Sequence, residues 1–326
     1  MKKVNSIILI FLIFNFSNLL GENSYNSFIK YMPDTREDNI VNTTDYFYTN
    51  LMKRNLIDLE KARKQKEETF EVPKGYRVKR ELINNVPVEW IYAPNAPKNK
   101  IIYYIHGGSW TFGNLDSARN MGLILSKNSG YNVLVIEYSL SPEYPFPYGF
   151  NDVYNIYKFL LNKKFEKIGI FGDSAGGNLT LALLNRLKDE NIVMPTAVAL
   201  SSPATDLSET SSIYLSNTIL VNIKYENKRQ NTIDLYAGKF DKKNKYISPV
   251  YGNLEKLPPM QIHFGGAEEL REDGVNYAKK AKDQGVDISI IIWRGYFHDF
   301  TLLGDQSKES SEANKMISIF FRKHLK

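Results

Sequence analysis

From about residue 75 onward, short apolar runs rich in β-branched and aromatic residues alternate with longer stretches of helical period. The runs predict strands over Tyr76 to Leu82, Val86 to Tyr92, Ile101 to Ile105, Asn132 to Tyr138, Lys167 to Phe171, Thr196 to Leu200, Pro259 to Phe264 and Asp287 to Ile292. Between them, helical patterns cover Met121 to Ser126, Asp152 to Leu161, Gly177 to Lys188, Gly274 to Asp283 and Ser310 to Lys323. Such alternation predicts an α/β fold, a mainly parallel sheet with helices on both faces, its first two strands forming an antiparallel edge. Two segments break the pattern. Asn26 to Glu71 is a charged leader expected to be helical, and Asp206 to Tyr246 is a polar insert; both are long enough to cover one end of the sheet and act as lids.

The extreme N-terminus has a different pattern. Lys2 and Lys3 precede an apolar run from Ile7 to Phe16 broken only by Asn15, the charged and hydrophobic regions of a signal peptide ending near Gly21. A bilayer span needs about 20 consecutive apolar residues. The run is shorter, so export is the expectation, with no stable membrane span after cleavage and a retained anchor as the other reading.

Composition then narrows the chemistry. With 326 residues, 43% of them hydrophobic, the chain can fill an enzyme-sized core unaided. Its 42 basic and 36 acidic residues are spread along the whole length, so nucleic acid is not an expected partner. Cysteine is absent, which removes disulfides, thiol nucleophiles and cysteine metal sites. Any nucleophile must be oxygen or nitrogen.

The strand Lys167 to Phe171 runs into Gly172-Asp173-Ser174-Ala175-Gly176-Gly177-Asn178, which opens a helix near Asn178. A serine between glycines at a strand-to-helix turn is forced into a strained conformation that leaves its hydroxyl exposed at the strand's C-terminal end. A phosphate-binding loop would need a lysine where Asn178 stands. Ser174 is therefore the candidate nucleophile. Ahead of it, Ile101 to Ile105 leads into His106-Gly107-Gly108-Ser109-Trp110, where glycines let backbone amides approach a substrate. The amides of Gly107, Gly108 and Ala175 are the candidate oxyanion donors.

A serine hydroxyl needs a general base, and the chain has four histidines. His106 belongs to the oxyanion loop, His263 falls inside a strand and His324 lies in the last helix. His298 remains, in the loop after the final strand. The orienting carboxylate lies among Glu268, Glu269, Glu272 and Asp273, all after the strand ending at Phe264. Asp299 is set aside, because a residue adjacent to the base seldom turns its carboxylate to the same imidazole.

The chain resembles the hormone-sensitive lipase family of α/β-hydrolase esterases from about Tyr76 to the C-terminus. The resemblance rests on HGG at 106–108, YSLSPEYPFP at 138–147 with Asp152, GDSAGGN at 172–178, SSPATDLS at 201–208 and ISPVYGNLEKLPP at 247–259, in that order. It implies the α/β-hydrolase fold, with an eight-stranded, mostly parallel sheet and a helical cap. The domain plan is then a signal peptide at 1–21 and a hydrolase domain at 22–326, with cap elements from 26–71 and 206–246. The family's acid stands two residues before the leucine that begins a helix, which selects Glu268 before Leu270. Glu143, Asp152, Asp173 and Asp206 match its loop-fixing carboxylates. Ser109 stands where a third glycine is common, which argues against very bulky alcohol groups, and Ser139 stands where arginine is usual.

These readings combine into a serine carboxylesterase for short- to medium-chain, acetyl-type esters, using Ser174, His298 and Glu268 through an acyl-enzyme. Its partner is a small-molecule ester, and no metal or organic cofactor is implied. Trp110, Phe112 and Tyr236 are candidate pocket-lining residues. Two other classes share the residues: a deacetylase, lactonase or amidase with the same triad, and a non-catalytic binding protein on the same fold.

Overall fold

A computed structural model describes residues 28–33, 56–64, 71–211, 220–223 and 228–326. The expected signal peptide at 1–21 lies outside the described residues, as do much of the leader and part of the insert.

Eight strands lie where the apolar runs predict them: β3 (Arg77–Ile83), β4 (Val86–Tyr92), β5 (Lys100–Ile105), β6 (Asn132–Ile136), β7 (Lys167–Asp173), β8 (Ala197–Ser201), β11 (Met260–Gly265) and β12 (Ile288–Trp293). A ninth, β1 (Ile29–Met32), comes from the leader, and the sheet runs β1-β12-β11-β8-β7-β5-β6-β4-β3. The expected count of eight is thus corrected to nine among the described residues. Every neighbouring pair is parallel except β4 with β6 and β3 with β4, so the antiparallel edge is where the first two predicted strands put it. The central strands read as unbroken apolar runs because parallel strands are covered on both faces. In β5, Ile101, Tyr103 and Ile105 pack into one core and Ile102 and Tyr104 into the other.

The first core is closed by α3 (Tyr148–Asn162), α4 (Ser174–Asp189) and α6 (Leu270–Asp283), the second by α2 (Leu115–Ser129) and α7 (Lys308–His324). The pattern understates α2, which starts six residues before the predicted Met121. Its start is fixed by a capping box, in which Asn114 accepts from the Ser117 amide and the Ser117 hydroxyl accepts from the Asn114 amide. Gly130 ends it in the left-handed region, at φ 78°.

The leader departs from the helical expectation. It supplies β1 and β2 (Leu56–Asp58), and its described helix, α1 (Leu59–Lys64), is short. Strand pairing won here because the free edge of β12 accepts β1 in parallel register, Ile29 opposite Ile290. In the insert, β9 (Leu220–Ile223) pairs with β10 (Lys228–Asn231) and with β2, and α5 (Thr232–Ala237) follows. Leader and insert thus share a small sheet of their own.

The register brings the C-terminal ends of β5, β7, β8 and β11 level, with Ile105 opposite Gly172, Asp173 opposite Ser201 and His263 opposite Ser201. Their outgoing loops meet at one edge. The loop after β11 begins where α6 packs on its strand, and a Cβ at Gly274 would lie 2.0 Å from Phe264 Cζ in the core. Gly274→Ala gains up to about 1 kcal/mol of helix propensity but overpacks at a cost of about 1–3 kcal/mol. We expect a net loss of about 1 to 2 kcal/mol in urea unfolding; an unchanged or raised midpoint would show that the Phe264 ring yields freely.

Candidate active site

At the elbow the chain passes directly from β7 into α4, whose first residue is Ser174 at φ 49°. The glycines two residues to either side have no room for side chains. A Cβ at Gly176 would lie 2.0 Å from the Ile105 carbonyl oxygen, and one at Gly172 would lie 2.7 Å from that of Gly176. The first turn of α4 therefore presses on the end of β5, and the loop leaving β5 starts beside the serine.

Ser174 Oγ lies 2.9 Å from His298 Nε2. The imidazole's other nitrogen, Nδ1, is 3.4 Å from Glu268 Oε2, and the Glu268 side chain is fully buried. The hydroxyl, imidazole and carboxylate expected from the sequence thus converge from the loops after β7, β12 and β11. A backbone bond from the Ala267 amide to the Tyr296 carbonyl, 2.9 Å, ties the last two loops together.

Two contacts here escape sequence reasoning. Ser202, at φ 46° just past β8, donates its hydroxyl to Glu268 Oε2 at 2.7 Å and accepts the Asp299 amide at 3.1 Å. It fixes the acid and the loop of the base with one oxygen. The only signal for it was its place at the end of a central strand, inside SSPATD. Asp299, set aside in the sequence, brings Oδ2 to 3.3 Å from His298 Nε2. Its backbone turns left-handed, φ 56°, which swings the carboxylate back toward the ring instead of away from it.

The electrostatics follow from burial and these pairings. Burial raises the Glu268 carboxyl above its usual range, while His298 and the Ser202 hydroxyl pull it down. Burial likewise raises Asp173 to about 6, against the hydrogen bonds it accepts, and raises Asp299 well above its usual range, opposed by His298 and aided by the Asp173 and Glu268 charges. For His298, burial opposes protonation, but the carboxylates of Asp299, Glu268 and Asp173 prevail and push it up to about 9.

Comparison with known proteins decides the family. Residues 102–302 match the model of the alpha/beta hydrolase fold family. An esterase of Acinetobacter venetianus is 30% identical over 233 residues, covering 69% of this chain and 75% of the relative. An acetyl-hydrolase of Streptomyces hygroscopicus is 26% identical over 242 residues, covering 74% of this chain and 81% of the relative. Among solved structures, an esterase from the bacterial hormone-sensitive lipase family superposes with a TM-score of 0.71 at 27% identity, covering 86% of this chain and 98% of that one. The chain belongs to the alpha/beta hydrolase family. Within it, the protein is a carboxylic ester hydrolase similar to hormone-sensitive lipase esterases.

The hydrolase deploys its other candidate residues unevenly. The Gly107 amide, expected to serve an oxyanion, donates instead to Asp173 Oδ2 at 2.9 Å, and an amide has one proton to give. Gly108, Ser109 and Trp110 follow at φ 112°, 50° and 59°. Successive left-handed residues curl the backbone into a tight turn, closed by the Thr111 and Phe112 amides, which both donate to the Gly108 carbonyl at 2.9 and 3.0 Å. Ala175, in the first turn of α4, has an amide with no partner inside the helix. Trp110 and Tyr236 are both buried and stack on each other, rings 4.7 Å apart at 12°, so they form a wall behind the loop. Phe112 lines a cavity of about 390 Å³ with Gly108, Asp173 and Asp299.

Two other histidines and three carboxylates of the family pattern are held by partners of their own. Burial lowers His106 to about 4 and His263 to about 3, so both are neutral. His106 Nδ1 bonds the Gly107 carbonyl, and His263 Nδ1 accepts from Trp293 Nε1. Asp152 accepts the Ser139 amide, Asp206 the Ser208 amide, and Glu143 a guanidinium from Arg63. Among the described residues, no group of three or more His, Asp or Glu side chains is placed to hold a metal ion.

Ser202→Ala deletes a hydroxyl bonded to a carboxylate, an interaction worth about 1.5–3 kcal/mol. We expect kcat/KM for a nitrophenyl ester to fall at least about tenfold, since 1.36 kcal/mol is a factor of ten in rate. Undiminished turnover would mean that Glu268 is held without it.

Proposed function

We propose that this hydrolase is a serine carboxylesterase for short- to medium-chain, acetyl-type esters, with Ser174 as nucleophile, His298 as general base and Glu268 as orienting acid. The observation that carries the reading is the 2.9 Å contact between Ser174 Oγ and His298 Nε2 at a left-handed serine. His298 takes the hydroxyl proton as Oγ attacks the ester carbonyl, and a tetrahedral intermediate forms. With the Gly107 amide engaged by Asp173, the amides of Gly108, Ser109 and Ala175 stabilise its oxyanion. The imidazolium returns the proton to the departing alcohol, and water cleaves the acyl-enzyme by the same route. The acetyl-hydrolase relative supports a small acyl group.

Ser174→Ala is expected to lower kcat on a short-chain nitrophenyl ester by a factor on the order of 10⁴ to 10⁶. Retained turnover would sink the assignment. In the parent enzyme, activity across acyl lengths should peak at short chains and exceed that on the matching aryl amides.

The pH dependence has a defined sign. The base acts when neutral, and a pKa near 9 keeps His298 mostly protonated at pH 7. The value of kcat/KM should therefore climb with pH until that proton leaves in the alkaline range. Asp299→Asn removes the carboxyl whose ionised form favours the protonated imidazole, so the imidazole pKa falls and the acid limb moves toward neutral pH. A limb that stays in place in the variant would show that Asp299 does not act on the base.

A further inference from the structure

Among the described residues, the leader bonds to the reaction loop through the Arg63 side chain. Arg63, in α1, donates Nε–H to the Thr111 carbonyl at 2.8 Å and Nη2–H to the Ser141 carbonyl at 2.7 Å. The same guanidinium grips both carboxylate oxygens of Glu143, at 2.8 and 3.0 Å. Thr111 closes the loop that carries Gly108 and Ser109, and Ser141 belongs to the loop after β6. The two loops are already joined by the Ser141 amide, which donates to the Trp110 carbonyl at 2.8 Å. Arg63 therefore straddles a place where they meet.

We propose that Arg63 is a positioning residue for ester hydrolysis, reaching in from the leader to hold the 106–113 loop in the shape that aims its amides at the reacting carbonyl. The inference rests on the serine-esterase reading above. Its physical basis is strain. Ser109 and Trp110 hold left-handed backbone without being glycine, each costing about 1–2 kcal/mol, and such conformations persist only where the surroundings over-determine them. A planar guanidinium bonded to a carbonyl of each loop is such a restraint, and a lysine cannot reproduce its fork. Glu143 is half exposed, so the ion pair contributes little by itself; its use is to orient the guanidinium toward the two carbonyls. Ser139 lines the same groove as Arg63 and Glu143 and brings no charge of its own to either carbonyl. Trp110, whose carbonyl sits between the two bonds, is itself stacked on Tyr236 of the insert. Leader, loop and insert are thus fixed to one another around the oxyanion amides.

Losing one oxyanion donor outright costs about 10²- to 10³-fold in kcat. Loosening the loop should cost less. For Arg63→Ala and Arg63→Lys, measured as full-length proteins on a short-chain nitrophenyl ester, kcat is expected to fall tenfold to a hundredfold while KM stays within about threefold. Tm should change little, since Arg63 lies outside both cores; the lysine variant decides the matter if the alanine variant does not fold. A kcat within twofold of the parent in both variants, or a loss confined to KM, would overturn the proposal. Fluorophosphonate labelling in the same samples separates the two readings. An unlabelled parent enzyme overturns the serine mechanism, whereas a labelled parent with undiminished kcat in the variants overturns the role of Arg63 alone.

Discussion

The structure depends on a lack of room between β7 and α4. With the first turn of the helix pressed on the carbonyls of Ile105 and His106, only glycine fits at 172 and 176, and Ser174 is left at φ 49°. Such a residue is disfavoured by about 1–2 kcal/mol, which the buried strand and helix around it outweigh. The same contact decides where everything else must be. Because β5 and β7 are parallel neighbours with Ile105 opposite Gly172, the elbow and the glycine loop leave the sheet side by side. The hydroxyl and the amides that could serve it are a consequence of that register.

Proximity creates an electrostatic problem in turn. Asp173, Glu268 and Asp299 all act on one imidazole, and each is buried or nearly so. A buried carboxylate is tolerated where hydrogen bonds replace water. Asp173 takes the Gly107 amide for this purpose, and Glu268 takes the Ser202 hydroxyl. One glycine amide is thereby taken up in support, and the charge gathered around His298 raises its pKa. Site chemistry and loop support draw on the same small set of donors.

These couplings explain which parts were legible in the chain and which were not. The strands of the main sheet announce themselves because a buried parallel strand is a local apolar run, and β4 even has the predicted ends, Val86 and Tyr92. Ser174 is legible because its constraint is local, two glycines within two residues. His298 follows by elimination among four histidines. Glu268 was not separable from Glu269, Glu272 and Asp273 by composition or spacing, since all four suit the start of a helix; family likeness singled it out, and its contact with His298 agrees. The position of β1, the bond from Ser202 to Glu268 and the return of Asp299 toward the ring depend on partners far away in sequence or on one left-handed residue. The glycines at 107 and 108 signal a close backbone approach but not which amide stays free. That depends on Asp173, 66 residues beyond Gly107.

The covering of the site is its least local feature. The leader and the insert pair through β2 and β9, the leader grips the reaction loop through Arg63, and the insert stacks Tyr236 on that loop's Trp110. A substitution in either segment can therefore reshape the loop without touching Ser174, His298 or Glu268. Ser174 sits in a short motif under tight steric limits. The described β2, β9 and β10 pair among themselves and not with the main sheet. A change in the leader or the insert therefore reaches the loop beside Ser174 through a few hydrogen bonds and one ring stack, while the main sheet keeps its own pairings.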